Sequence, residues 1–187
     1  MGTSWRMKKS RAYRKTRYII YRQTILDPID HLWTFLGGFT GIGIIGYLQS
    51  LQFSQLDNVF LIGSIGASAV LVYGATNSPL AQPRNLMGGH LLSALIGVTV
   101  ASLLPDPELN WLACALAASL SIVAMQITKT MHPPGGATAL IAVMGSEKIK
   151  SLGYMYILSP VLIGALILLV TALIFNNLSH HRTYPYR

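Results

Sequence analysis

The run KTMHPPGG at residues 129–136 interrupts a long apolar part of the chain with two prolines and two glycines. Inside a lipid bilayer, every backbone N–H and C=O group needs a hydrogen-bond partner within the protein. Such a break at membrane depth is therefore tolerated only where protein buries it or where it faces water. If the neighbouring segments cross a membrane, this run predicts a cavity.

The composition of the chain indicates that these neighbouring segments do cross a membrane. Of the 187 residues, 52% are hydrophobic and 11% are charged, whereas a soluble domain has about a quarter of its residues charged. The net charge of +8 does not predict nucleic-acid binding, because most of the basic residues precede the first apolar segment. Those residues are Arg6, Lys8, Lys9, Arg11, Arg14, Lys15, Arg17 and Arg22. Residues 1–31 are therefore predicted to form a cytoplasmic tail that contacts anionic lipid.

Six apolar segments follow the tail, and five of them have about the length that a helix needs to cross a bilayer. They run approximately over residues 32–51, 59–76, 86–104, 109–127, 135–144 and 154–178. The predicted fold is all-α: a polytopic helical membrane bundle of five to six hydrophobic segments over residues 32–178, with helices broken by proline and glycine. Residues 179–187 form a polar C-terminal tail.

The segment at 135–144 would be only about 15 Å long at 1.5 Å per residue. It is either a half-helix that re-enters the membrane or a short span. Counting Lys and Arg in the loops places the N-terminus in the cytoplasm, with Arg84 and Lys129 on the same side. The count is equal for the two topologies of the short segment, so it leaves this choice open.

A second break, SPLAQPRN at residues 78–85, also precedes a helix that begins with a glycine pair, Gly88-Gly89, followed by His90. Paired proline and glycine interruptions at corresponding positions are the sequence pattern that most often marks the binding site of a transporter.

The motif HPPGGATAL at residues 132–140, taken with SPLAQPRN and Gly89-His90, resembles the HPP family of integral membrane proteins. The resemblance covers the membrane region only. It implies a small polytopic protein of the bacterial inner membrane, and transport of nitrite, the activity of some members in cyanobacteria and plastids.

The residues at the breaks suit a small anion. Pro133 and Pro134 fit the first turn of a helix, and the amides that follow them point out of its N-terminus, where anions bind. If the two breaks meet, Arg84 and Lys129 would converge on one cavity. The predicted substrate-binding residues are Arg84, Asn85, His90, Lys129, Thr130, His132, Gly135, Gly136, Ala137 and Thr138.

Other readings of these residues stay open at this stage. Arg84 and Lys129 could serve only to set the topology, His90 could make a hydrogen bond between helices, and His132 could cap the helix that follows it. A scaffold that transports nothing is the alternative function. No motif of a hydrolase or metalloprotease occurs, so an enzyme, a metal and a cofactor are not expected. The many small residues suggest a homodimer.

Overall fold

A computed structural model describes residues 27–186, and the predicted basic tail therefore lies mostly outside the described residues. These residues form helices and contain no strand. The helices are α1 Pro28–Ser50, α2 Gln55–Ala69, α3 Pro83–Leu103, α4 Asn110–Thr128, α5 Pro133–Met144, α6 Glu147–Ser151 and α7 Ile163–Leu178. π-Helical turns extend α2 over Val70–Gly74 and precede α7 over Ile157–Leu162. Five of these helical stretches in the described part are long and apolar enough to cross a membrane, and α5 is the shorter apolar helix. The predicted all-α membrane bundle is confirmed.

The predicted starts of α1, α2 and α3 were each three or four residues late. The second span was predicted from residue 59, but Asp57 already lies in the first turn of α2, because Ser54 caps that helix and accepts a hydrogen bond from the Asp57 amide. Similarly, α3 begins at Pro83 rather than Leu86. Proline is favoured in the first turn of a helix, where its missing N–H leaves no hydrogen bond unmade.

The chain passes back and forth between two ends of the bundle. We call one the Asp57 end, which holds residues 51–54, 104–109 and 145–153. The other is the break end, which holds residues 75–82 and 129–132. At the Asp57 end, the carboxylate of Asp57 accepts hydrogen bonds from the amide and hydroxyl of Ser146 at 3.2 and 2.7 Å. A cavity of about 320 Å³ there lies between the turn at 104–107 and residues 147–153.

The short helix α5 runs from one end to the other. Its N-terminal residue His132 contacts the carbonyl oxygen of Leu80 at the break end, and Ser146, just after it, contacts Asp57 at the opposite end. The last long helix then returns, because the Asn176 amide donates to the carbonyl oxygen of Val72 near the end of α2. The segment is therefore a short crossing helix in this structure and not a re-entrant half-helix.

Glycines allow α3 and α5 to approach closely. A Cβ atom added at Gly97 would lie 2.6 Å from the carbonyl oxygen of Ala139, and one at Gly135 would lie 2.8 Å from that of Gly89. Both distances are shorter than any stable contact between a carbon and an oxygen atom. The small-residue face of α3 is thus a helix-packing face, as is common in membrane bundles.

The residues after α7 bind the first break. The buried Tyr184 hydroxyl donates to the carbonyl oxygen of Ala81 at 2.7 Å, and the Gln82 side chain accepts from the Tyr186 amide at 2.8 Å. Burial, together with the nearby Tyr73, raises the pKa of the Tyr184 hydroxyl. It therefore stays protonated and keeps this hydrogen bond across the physiological pH range.

Candidate functional site

The two sequence breaks meet at the break end. The Asn85 side-chain amide donates to the carbonyl oxygen of Met131 at 2.8 Å, and the Arg84 guanidinium donates to that of Thr128 at 2.7 Å. The Asn85 bond joins the first break, at the start of α3, to the second break, and the Arg84 bond joins it to the last residue of α4, directly before the second break. The condition on which the predicted site depended is therefore met.

The two cations lie at the surface of this end. Arg84 and Lys129 are both exposed, and neither lines the cavities described here. Lys129 ends α4 in the left-handed backbone region, with a φ of 56°. Residues other than glycine are uncommon in that region. A binding role for Arg84 and Lys129 stays a prediction.

The three residues whose amides were predicted to hold an anion, Gly135, Gly136 and Ala137, differ in their surroundings. The Gly135 amide donates to the carbonyl oxygen of His132 at 2.9 Å, and Gly135 itself is packed against α3. Gly136, in contrast, has no atom within 4 Å of the position that a Cβ would occupy, and Ala137 is half-buried. Within this group of three, Gly136 is therefore the residue that a ligand could approach most closely.

The contacts of Thr130 are those of a residue that holds the structure together. It is buried, its hydroxyl lies 2.7 Å from that of Thr128, and its side chain would meet any Cβ added at Gly88. These contacts hold the second break against α3. A binding role for Thr130 stays a prediction.

A cluster of buried polar side chains lies behind the breaks. Its members, each less than 5% exposed, are Ser64 and Ser68 of α2, His90 of α3, His132 before α5 and Thr138 of α5. The two imidazole rings have centroids 4.9 Å apart. Polar groups within an apolar bundle are costly unless they are satisfied, so such a cluster is typical of a functional site in a membrane protein.

The five side chains form one continuous chain of hydrogen bonds that ends on a backbone carbonyl. Ser64 Oγ lies 2.9 Å from Thr138 Oγ1, and Thr138 Oγ1 lies 2.7 Å from His90 Nδ1. His90 Nε2 and His132 Nε2 lie 2.8 and 2.9 Å from Ser68 Oγ. The last bond is from His132 Nδ1 to the carbonyl oxygen of Leu80, at 2.8 Å.

When every contact of this chain is a hydrogen bond, the Leu80 carbonyl sets the direction of the bonds, because a carbonyl can only accept. The carbonyls of Pro134 and Ser64, 3.0 Å from Ser64 Oγ and 3.2 Å from Ser68 Oγ, compete for two of the same protons. With both rings neutral, His132 must carry its proton on Nδ1, so its Nε2 accepts from Ser68. The hydroxyl of Ser68 has then used its proton, and His90 must donate to it from Nε2. His90 Nδ1 consequently accepts from Thr138, and Thr138 in turn accepts from Ser64.

The environment favours neutral rings. The partners of the four ring nitrogens are the hydroxyls of Ser68 and Thr138 and the Leu80 carbonyl. None of them is a carboxylate that would balance a positive charge, and two adjacent buried imidazoliums would repel each other.

A small void adjoins the cluster on the side of the Asp57 end. It has a volume of about 10 Å³, the space that one water molecule needs. Its lining includes Ser64, His90, Thr138, Tyr156 and Gln49. Gln49 is 6% exposed, and its side-chain oxygen is buried without a hydrogen-bond partner.

Sequence reasoning found His90, His132 and Thr138 but missed Ser64, Ser68 and Gln49. Ser64 and Ser68 are four residues apart, so they lie on one face of α2, a spacing that small residues used only for helix packing also show. The signal that could have identified them is that both are hydroxyl residues within a span. His132 precedes α5, but its side chain makes no capping bond to that helix, so the capping interpretation is wrong. The hydrogen bonds of His90 do join α3 to α2 and α5.

Across residues 27–186, no three side chains of His, Cys, Asp or Glu come together as a set of ligands. The two histidines of the cluster are instead bound to hydroxyl and carbonyl groups.

Comparison with known proteins gives a consistent result. The family described as "HPP, transmembrane region" matches residues 23–185. A transmembrane protein of Dictyostelium discoideum is 49% identical over 165 residues, which are 88% of this chain and 58% of that protein. A second transmembrane protein of the same organism is 48% identical over 155 residues, 82% of this chain and 49% of its own length. The chain thus spans about half the length of these curated relatives, and no solved structure matches it.

Proposed function

The chain belongs to the HPP family of integral membrane proteins, and from this premise we propose that it transports a small inorganic anion, nitrite first, across the membrane. The observation that carries the proposal is the meeting of the two breaks in front of a buried polar cluster. In many transporters the substrate binds where discontinuous helices meet near the middle of the bilayer. Here Asn85 and His132 each join one break to the other.

The charges at the break end support an anion as the substrate. Arg84 and Lys129 are exposed beside the meeting point, and α5 directs its N-terminus, the positive end of its helix dipole, toward the same end. A nitrite ion would accept charge-assisted hydrogen bonds from the cations at the surface. Deeper in the protein it would exchange hydrogen bonds with His132 and the hydroxyl groups of the cluster.

The same charges support an orientation. In the part of the chain from Trp33 to Tyr186, the break end has Arg84, Lys129 and Arg182, whereas the Asp57 end has four carboxylates and two lysines. Because positive loops stay in the cytoplasm, we assign the break end to the cytoplasmic side. The bacterial inner membrane stays a prediction, as do contact of the basic tail with anionic lipid and a homodimer.

A scaffold without transport is the second candidate. The observation that favours it is the packing of Gly97 and Gly135 against backbone atoms of the neighbouring helix, since this contact would explain Gly135 of the motif without a ligand. Catalysis is not part of either proposal.

Nitrite uptake into proteoliposomes tests the choice between an anion transporter and a scaffold. The purified full chain is compared with Arg84→Gln and Lys129→Gln under an inward proton gradient. Each substitution should lower the initial rate about tenfold or more, because a hydrogen bond to a charged group contributes about 1.5–3 kcal/mol. Arg84→Lys, which keeps the charge, should retain more uptake than Arg84→Gln.

Lys150→Gln is the matched control. Lys150 lies at the Asp57 end, with its amine 3.8 Å from the Glu147 carboxylate, and its loss should leave uptake unchanged. If wild-type protein moves none of nitrite, nitrate or formate, the scaffold is favoured. If it moves nitrite and both Gln variants match it, Arg84 and Lys129 only set the topology.

A further inference from the structure

We propose that Ser64, Thr138, His90, Ser68 and His132 form a proton relay that delivers a proton to His132 during anion transport. The inference rests on the proposed function and adds the coupling ion to it. Its basis is geometric: four consecutive side-chain hydrogen bonds of 2.7–2.9 Å connect the void near the Asp57 end to the break end. All four point the same way when the Leu80 carbonyl holds the proton on His132 Nδ1 and Ser64 and Ser68 donate along the chain instead of to the carbonyls of Pro134 and Ser64.

One passage along the relay moves one proton, and the number of protons is conserved at each step. A proton arrives on Ser64 Oγ from the void as Ser64 passes its own to Thr138, and Thr138 passes its own to His90 Nδ1. His90 then releases the proton on Nε2 to Ser68, and Ser68 gives its proton to His132 Nε2. Each hydroxyl and His90 end with the number of protons with which they began. His132 alone has gained one and become an imidazolium.

The void supplies the point at which the proton enters. It has space for about one water molecule, and its wall includes the unpartnered oxygen of Gln49. A water there would donate to Gln49 and to Ser64. A larger cavity of about 240 Å³ also has Gln49 in its lining, together with Gln52 at the Asp57 end.

The Leu80 carbonyl stops the proton at His132. A carbonyl accepts the Nδ1 proton of the imidazolium but has none to pass on, so the proton cannot continue while this bond exists. Release requires the two breaks to separate. The ionisable side chains that face the relay are few: His90 and His132 lie against each other, and Tyr156 adjoins His90 across the void.

Separation of the breaks would also release the anion. An imidazolium at His132 adds a positive charge behind Arg84 and Lys129, where it would hold an anion that has reached the break from the Asp57 end, as the proton does. One proton moved with one nitrite in the same direction carries no net charge across the membrane. The relay therefore predicts electroneutral symport toward the break end.

A spectroscopic test examines the relay without any transport. In the full chain in lipid, ¹⁵N NMR of the two imidazoles should show different neutral tautomers, with His132 protonated on Nδ1 and His90 on Nε2. Variants His90→Gln and His132→Gln assign the signals. Identical tautomers, or a ring that is already doubly protonated at neutral pH, would overturn the relay.

A flux test follows in proteoliposomes that contain a pH-sensitive dye. Ser68→Ala removes the hydroxyl between the two rings and should slow nitrite-dependent acidification of the lumen by about tenfold or more. Ser93→Ala is the control, because Ser93 is an equally buried serine whose hydroxyl contacts only the Met125 sulfur, at 3.9 Å. Its acidification rate should equal that of wild type.

The outcomes separate the two proposals. Nitrite uptake without acidification, or equal acidification by wild type and Ser68→Ala, would overturn the relay and leave anion transport standing. Acidification under an imposed potential without nitrite uptake, sensitive to Ser68→Ala, would support the relay and remove nitrite as the substrate. If the wild type shows neither nitrite uptake nor acidification, both the relay and anion transport are rejected.

Discussion

At the scale of single residues, one backbone atom organises the candidate site. The Leu80 carbonyl oxygen accepts from His132 and thereby fixes the neutral tautomer of that histidine, from which the direction of the other bonds follows when all of them are made. No property of the Leu80 side chain contributes to this. A substitution at position 80 that preserves the backbone should therefore preserve the order of the hydrogen bonds.

Gly136 offers a residue-scale test of the anion site. In Gly136→Val, the new side chain enters open space and blocks close approach to the first turn of α5, so the apparent affinity for nitrite should fall several-fold. Uptake at a series of nitrite concentrations measures this. Gly43→Val is the control, since Gly43 also has nothing within 4 Å but lies in α1. Equal affinity in the two variants would argue against a site at the start of α5.

Sequence could identify some of these residues but not their arrangement. The histidines and Thr138 stand in the conspicuous motif, and imidazole chemistry made the histidines candidates. Ser64 and Ser68 could not be distinguished from packing residues, because a serine in a membrane helix serves both purposes. The surface position of Arg84 depends on a bond to the Thr128 carbonyl, a contact across 44 positions of chain that no local pattern contains.

At the scale of helices, α3 and α5 pack closely along the part of α5 that contains the HPPGGATAL motif. Ser93 and Gly97 of α3 face Gly135 and Ala139 of α5. Small residues recur at helical spacing in several of the apolar segments, so the sequence alone could not name the partner of those on α3. In the structure, that partner is α5.

Gly97→Ala should destabilise the protein by about 1–3 kcal/mol, the usual cost of overpacking. Its Cβ would be 2.6 Å from a backbone oxygen, which cannot move aside as a side chain can. Gly66→Ala in α2 meets nothing within 4 Å and should be neutral or slightly stabilising, because alanine favours the helix. Unfolding curves in mild detergent measure both. A loss of stability in Gly66→Ala equal to that in Gly97→Ala would contradict the close contact.

At the scale of the whole molecule, the path of the chain was the feature that sequence left undecided. The number of Lys and Arg residues in the loops is the same whether residues 135–144 cross or re-enter. What decides the topology is a long-range contact, the Asp57 carboxylate with Ser146, which places the two ends of α5 on opposite sides. Hydropathy detected the segment, and only tertiary structure gave its direction.

Cysteine labelling tests this topology. In a Cys114→Ala background, single cysteines at Asn77 and Ser151, both exposed, are treated with an impermeant maleimide in vesicles of known orientation. Asn77→Cys should react from the cytoplasmic side and Ser151→Cys from the opposite side. Reaction of both from one side would restore the re-entrant topology, and the reverse pattern would invert the proposed orientation.

The length of α5 has an electrical consequence. With 12 residues it is about 18 Å long, whereas the 21-residue α3 beside it is about 31 Å long. Where polar residues at both ends of α5 let water approach, most of the membrane voltage falls across the shorter distance and the local field is stronger. A full crossing corresponds to about 2.3 kcal/mol per charge at 100 mV. A single proton step beside α5 would thus sense a large share of that voltage, and its rate would respond to the energetic state of the membrane.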